Sequence, residues 1–271
     1  MLTIPAPTTI IPLSEEAPRD TERAVAVETG VEVAFGGVPF AVMMLSPGDL
    51  EDFAYGFSLT EGIIDGVSDM RSVSVVQGGS GWRIEAEVAP DRMHRLLARR
   101  RAMAGRTGCG VCGIEDLAAL ERAQPRRGGA DGATIAIAAI ERALTGLPER
   151  QVLGRETGAT HAAAFTAADG TILLVREDVG RHNALDKLVG AVLRQGLEPA
   201  AGFVVVTSRC SFEMVEKAAS LGVAAIVAIS APTSLAIVRA RALDLPLVAL
   251  ARRDTVTVFH GRDRIAAREQ S

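Results

Sequence analysis

Gly108-Cys109-Gly110-Val111-Cys112-Gly113 sets two thiols three positions apart among glycines, ahead of a helix-like run from Ile114 to Leu120. Thiols that open a helix face its N-terminal N–H groups, which favour thiolate over thiol. Arg106 and the Arg99–Arg101 run add positive potential, and the glycines leave the sulfurs uncovered. Reactive thiols are the leading reading of the segment. A zinc half-site or an inert packed pair are the alternatives. A structural zinc needs four ligands, and only Cys210 and the scattered His94, His161, His182 and His260 remain to complete one.

A second chemical segment is Glu177-Asp178-Val179-Gly180-Arg181-His182-Asn183-Ala184-Leu185-Asp186-Lys187. It places carboxylates, a guanidinium, an imidazole, an amide and an ammonium at a strand-to-helix turn. Helix-opening N–H groups together with Arg181 and His182 suit a phosphate or diphosphate. Asn183 is a candidate N-cap, and Asp186 with Lys187 a candidate buried ion pair. An ordinary capped turn is the plainer alternative.

A third segment, Thr207-Ser208-Arg209-Cys210-Ser211 through Lys217, offers hydroxyls and another guanidinium at a strand's carboxyl end. Cys210 there reads as a small packing residue before a third reactive thiol. His161, in Thr157-Gly158-Ala159-Thr160-His161, alternates with small apolar residues like an interior histidine. Leu250-Ala251-Arg252-Arg253-Asp254-Thr255 joins the last two strands and brings two guanidiniums toward the same sheet end.

The elements that must hold these segments follow from periodicity. Residues 24–35 read as two short strands meeting at Gly30, and 39–45 as a third. A helix then carries Leu50, Phe53, Ala54 and Phe57 on one face. Strands at 72–77 and 82–88 and a basic helix from Pro90 complete a small α+β domain, residues 21–104. Residues 1–20, with Pro5, Pro7, Pro12 and Pro18, read as a disordered tail. Residues 105–133 form a glycine-rich loop bearing the thiols. From 134 to 271, a helix near 136–145, a hairpin turning at Ala168-Asp169-Gly170 and a helix closing at Gly196 lead into an alternation. Strands at 202–207, 223–229 and 246–250 alternate with helices at 211–221 and 233–243, and a strand at 255–259 ends it. Apolar strands alternating with helices indicate an α/β fold, a largely parallel sheet covered on both faces. Ligands in such sheets sit beyond the strands' carboxyl ends.

Composition sets the bounds. The chain has 271 residues, 48% of them hydrophobic, and a formal charge of −4. Roughly three quarters of its extended surface is buriable at that length, which excludes a disordered or fibrous protein. The acidic balance argues against a general nucleic-acid partner. The longest apolar stretch, Val223 to Ile229, stops at Ser230 and Pro232, too short for a membrane span. Three cysteines without a signal-like N-terminus suggest a reducing cytoplasm. Among 29 basic residues only Lys187 and Lys217 are lysine. Either those two sites need a compact ammonium where the chain uses arginine elsewhere, or the pattern is chance codon drift.

Taken together, Cys109-Gly-Val-Cys112-Gly, Glu177 through Lys187 and Ser208 through Lys217 resemble the FdhD/NarQ family, the formate dehydrogenase accessory sulfurtransferases. Thr60-Glu-Gly-Ile-Ile64 and Thr157-Gly-Ala-Thr-His161 are similar to further family segments, in the family's order from about residue 20 to residue 265. The resemblance implies a sulfur carrier that accepts persulfide sulfur from a cysteine desulfurase. Delivery would be to a molybdenum (or tungsten) bis-molybdopterin guanine dinucleotide cofactor required by formate dehydrogenase. It implies a cytidine-deaminase-like three-layer α/β/α domain after the smaller α+β domain, and a homodimer. Cys109 matches the persulfide carrier and Cys112 its partner. Leu250, Ala251, Arg252, Arg253, Asp254 and Thr255 match the cofactor stretch. Arg181, His182, Asn183, Lys187, Ser208 and Arg209 are the expected contacts to a guanosine diphosphate moiety. No resident metal is implied. Two positions depart from the family pattern: Cys210 replaces a small or aliphatic residue, and Leu250 an aromatic. A thiol–disulfide oxidoreductase would use the same cysteines without needing two anion-binding strand ends, and a non-catalytic cofactor chaperone is the nearest rival. A zinc deaminase would need His-x-Glu ahead of Pro-Cys-x-x-Cys, which is absent.

Overall fold

The computed structural model describes residues 1–14, 16–79, 81–103, 133–252 and 254–267. In the first half, strands β1 (Thr3–Ile10) and β2 (Arg19–Ala26) form an antiparallel ribbon. Strands β3 (Thr29–Phe35), β4 (Val38–Leu45), β5 (Met70–Gly78) and β6 (Gly81–Val88) make a four-stranded sheet in the order β4-β3-β6-β5, with β3 and β6 parallel. Helix α1 (Leu50–Thr60) lies between β4 and β5, and α2 (Pro90–Met103) follows β6. Residues 3–10 are therefore a strand and not a disordered tail. Pro5 and Pro7 are tolerated because, among the described residues, no strand pairs with β1 on its outer edge, where missing N–H groups cost no ladder bonds.

The second half opens with β7 (Ile135–Ala136), α3 (Ile137–Arg150) and a short α4 (Val152–Thr157) that periodicity did not reveal. The hairpin β8 (His161–Ala167) and β9 (Ile172–Asp178) turns at Gly170, whose φ is 91°. Then come α5 (Arg181–Arg194), β10 (Gly202–Val206), α6 (Phe212–Leu221), β11 (Ile226–Ala228), α7 (Ser234–Ala242), β12 (Leu247–Ala249), β13 (Thr257–His260) and β14 (Ile265–Ala266). The main sheet runs β13-β12-β11-β10-β8-β9. Its heart, β10-β11-β12, is parallel. The sheet as a whole is mixed, because the tight β8–β9 hairpin and the return of β13 impose antiparallel pairing.

Alternation along β10 shows why helices cover both faces. Phe203 and Val205 pack on Ile140, Ala143 and Leu147 of α3, while Val204 and Val206 face Leu188, Met214 and Val215 of α5 and α6. The second of these cores continues into the first half, taking in Phe53 and Phe57 of α1 and Val31, Phe35 and Ile84 of the small sheet. The boundary expected near residue 104 is thus no break in packing.

The weld is the crossing of α1 on α5, and two glycines permit it. A β-carbon on Gly56 would stand 1.7 Å from the Asp186 carbonyl oxygen, and one on Gly190 would stand 1.8 Å from that of Asp52. Beside the crossing, Asp52 is buried under two guanidiniums, Arg176 at 2.7 Å and Arg194 at 2.5 Å.

Candidate functional site

The parallel strands β10, β11 and β12 end together, at Thr207–Cys210, Ile229–Ser230 and Leu250. Antiparallel pairing turns the start of β8 and the end of β9 to the same rim. His161 stands opposite Asp178, and the Thr207 N–H donates to the Ala162 carbonyl. Helices α5, α6 and α7 all begin there, so three helix starts share one edge of the sheet; that of α7 is capped by the Thr233 hydroxyl, which accepts from the Ala236 N–H at 3.2 Å. The segments that sequence spacing singled out do converge, except for those outside the described residues: Cys109, Cys112 and Arg253.

On this rim, α5 and α6 carry a two-rung polar ladder. His182 Nε2 lies 2.8 Å from Glu213 Oε2. One turn deeper, Lys217 Nζ donates to both Asp186 oxygens at 2.8 Å and to Thr60 Oγ1 at 3.0 Å. Thr60 also donates to Asp186, at 2.7 Å, which ties the end of α1 into the ladder. Each helix contributes residues four apart, the spacing that stacks side chains on one face. Asp186 is buried, and burial pushes its carboxyl up against the opposing pull of Lys217.

Both rim histidines are held toward the neutral form. Burial lowers His182 first, with Arg181, Lys217 and His161 adding to it against the pull of Glu213. His161 is lowered by burial and then by Arg181. Neutral imidazoles offer a ligand directional donors and acceptors in place of charge. Arg181 carries the charge, and its Nε is sealed from solvent with no acceptor, as is the hydroxyl of Ser211 at the start of α6. Two buried donors without acceptors describe the complement of an anion.

Other expected contacts sit differently. Lys187 is fully buried, its ammonium 2.6 Å from Asp178 Oδ2 and 2.8 Å from the Ser46 carbonyl oxygen. It is a core strut between β9 and the turn after β4, and not a ligand contact. The ion pair expected between Asp186 and Lys187 is replaced by Asp186–Lys217 and Asp178–Lys187, since neighbours on a helix point apart. Asn183 is no N-cap: Gly180 holds that position, and the Asn183 amide donates to the Met44 carbonyl at 2.9 Å and to Asp178 at 3.2 Å. Asn183 and Lys187 therefore position the α5 N-terminus.

Ser208 is buried, with its hydroxyl on the Arg209 carbonyl, while the Arg209 side chain is exposed at the rim. In the last segment Leu250 has φ 51°, a left-handed conformation that costs a branched residue roughly 1–2 kcal/mol. Its N–H is held by the Ser230 carbonyl at 3.1 Å. Ala251 is buried, and Arg252, Asp254 and Thr255 are exposed on a loop closed by Arg252 N–H donating to the Thr255 carbonyl.

Cys210 is wholly buried and its thiol is pushed up to about 12 by desolvation. That removes it as a sulfur acceptor, because transfer requires an accessible thiolate. Iodoacetamide at pH 8 is expected to leave Cys210 unmodified in the native protein and to label it fully in denaturant. Native labelling would contradict the burial.

Sequence spacing did not give the pairings of Glu213 with His182, Thr60 with Asp186 or Asp178 with Lys187, each of which joins two different elements.

Comparison with known proteins follows the same lines. The FdhD/NarQ family model matches residues 26–266. The chain is 47% identical over 243 residues to the sulfur carrier protein FdhD of Bordetella parapertussis, covering 90% of this chain and 87% of that one. It is 47% identical over 241 residues to the protein of the same name from Xanthomonas euvesicatoria pv. vesicatoria, covering 89% and 85%. A crystal structure from Desulfotalea psychrophila, of a protein assigned as a formate dehydrogenase accessory protein, superposes with a TM-score of 0.77 at 25% identity. The match covers 98% of this chain and all of that one. With its family-typical segments meeting at one sheet edge and a match spanning nearly its whole length, the chain belongs to the FdhD/NarQ family.

Proposed function

We propose that the protein is a sulfur carrier that loads sulfur on Cys109 from the persulfide of a cysteine desulfurase. It delivers that sulfur to a molybdenum or tungsten bis-molybdopterin guanine dinucleotide destined for formate dehydrogenase. The observation that carries the reading is the pair of buried, acceptorless donors, Arg181 Nε and Ser211 Oγ, at adjoining helix starts on the sheet rim. A phosphate oxygen supplies what both lack, and a guanine dinucleotide presents a diphosphate. The names borne by the similar Bordetella and Xanthomonas proteins support the sulfur-carrying role.

In the loading step the Cys109 thiolate attacks the outer sulfur of the donor persulfide. A new S–S bond forms on Cys109, the donor's S–S bond breaks, and the donor cysteine departs as its thiolate. Electrons and atoms balance without an external reductant. Cys112, three residues away, then attacks the inner sulfur, releasing hydrosulfide and closing a Cys109–Cys112 disulfide; proximity makes this step intramolecular. The bound dinucleotide supplies the metal that receives the sulfur. The chain's own part is to grip the diphosphate with Arg181, His182, Arg209 and the 250–255 loop.

Intact-mass and peptide mass spectrometry after incubation with a cysteine desulfurase and cysteine tests the reading. The expected result is one added sulfur on Cys109, absent in Cys109→Ala, with guanosine diphosphate affinity equal in both. Nucleotide binding without any sulfur gain would reduce the protein to a cofactor chaperone.

A further inference from the structure

We infer that Glu213 is a built-in stand-in for the ligand's phosphate, which a bound diphosphate must displace. This inference rests on the anion-binding reading of the rim. Glu213 is the second residue of α6, two places beyond the Ser211 cap position, in the first turn where the helix-opening N–H groups favour a negative charge. It reaches across to His182, the second residue of α5, so its carboxylate spans the two helix starts that flank the proposed seat. The other carboxylate of the ladder, Asp186 one rung deeper, is already engaged by Lys217 and Thr60. Arg181 and Lys217 act on the same imidazole, His161 lies beside it, and Arg209 stands at the end of the neighbouring strand. Glu213 thus supplies negative charge to a cluster built for it.

The contact is also the movable rung of the ladder. The deeper rung, Asp186–Lys217, is buried and locked by Thr60. The outer rung keeps a third or more of both side chains exposed, 33% for His182 and 41% for Glu213. A partly solvated pair of this kind holds its place weakly, so an arriving diphosphate can exchange with it. Released, Glu213 swings to solvent while His182 turns its N–H to a phosphate oxygen. The orphan donors Arg181 Nε and Ser211 Oγ gain acceptors that the carboxylate does not give them. The exchange makes ligand release reversible, since the carboxylate returns as the phosphate leaves and again offsets the Arg181 charge at the helix starts.

The test is calorimetric titration of the full chain and of Glu213→Gln with guanosine diphosphate and, separately, inorganic diphosphate, with thermal melts confirming that both chains are folded. Removing the competing charge is expected to tighten both ligands by about tenfold, the equivalent of about 1.4 kcal/mol. Glu213→Ala is expected to behave the same way, which separates loss of charge from any new amide contact. Unchanged or weaker binding of both ligands by Glu213→Gln overturns the inference and leaves the anion site standing. Weakening confined to guanosine diphosphate also overturns it, assigning Glu213 to the base. Binding by neither chain to either ligand overturns the anion-binding reading itself.

Discussion

Asp178→Leu is expected to destabilise the protein by about 3–5 kcal/mol, because it strands the Lys187 ammonium in a site with no solvent. In the native chain that ammonium has two acceptors, Asp178 and the Ser46 carbonyl. The substitution leaves one neutral oxygen, far short of compensating a buried charge. The reverse change, Lys187→Met, is expected to cost less. The Asp178 carboxylate would keep three N–H donors, from Ser46 at 2.9 Å, Gly180 at 2.8 Å and the Asn183 amide at 3.2 Å. Denaturant unfolding of both variants at pH 7 checks the order, and a smaller loss for Asp178→Leu than for Lys187→Met would show that Lys187 is not sealed in.

Gly190→Ala carries the second large effect. The new methyl would lie within bonding distance of the Asp52 carbonyl, and backbone cannot rotate away as a side chain can. Helices α1 and α5 must then separate, opening the core around Phe53 and Leu188 and pulling Asp52 from its two guanidiniums. A cost of about 3 kcal/mol, at the upper end for overpacking, corresponds to a melting temperature lowered by roughly 10 °C. Gly30→Ala is the matched control. Its β-carbon meets nothing within 4 Å, and its effect should stay within about 0.5 kcal/mol. Equal melting temperatures for the two variants would mean that the helices do not cross this closely.

How far the sequence foretold this arrangement differs by residue. The strand–helix alternation from Gly202 to His260 was legible because each element is short, apolar and punctuated by Ser, Thr, Pro or Gly. The hairpin at Asp169-Gly170 announced itself through its turn. The two lysines stand at special positions: both ammoniums sit on carboxylates, one fully buried and the other 12% exposed. Which carboxylate each would meet was not legible. Asp186 is adjacent to Lys187 in the chain, yet it faces a different helix. The α1–α5 crossing was equally silent, since a glycine in a helix looks the same whether it marks weakness or contact. In β1, Pro5 and Pro7 argued against a strand, and the outer edge that tolerates them, unpaired among the described residues, exists only in the folded ribbon.

Those two lysines also decide how the molecule can be handled. Lys187 is inaccessible and Lys217 is engaged by three oxygen atoms, so succinimidyl esters find no free ε-amine on the folded surface. Amine-directed cross-linking through these side chains would therefore miss a protein partner, and carboxyl-activating or photoreactive linkers are the suitable reagents for capturing one.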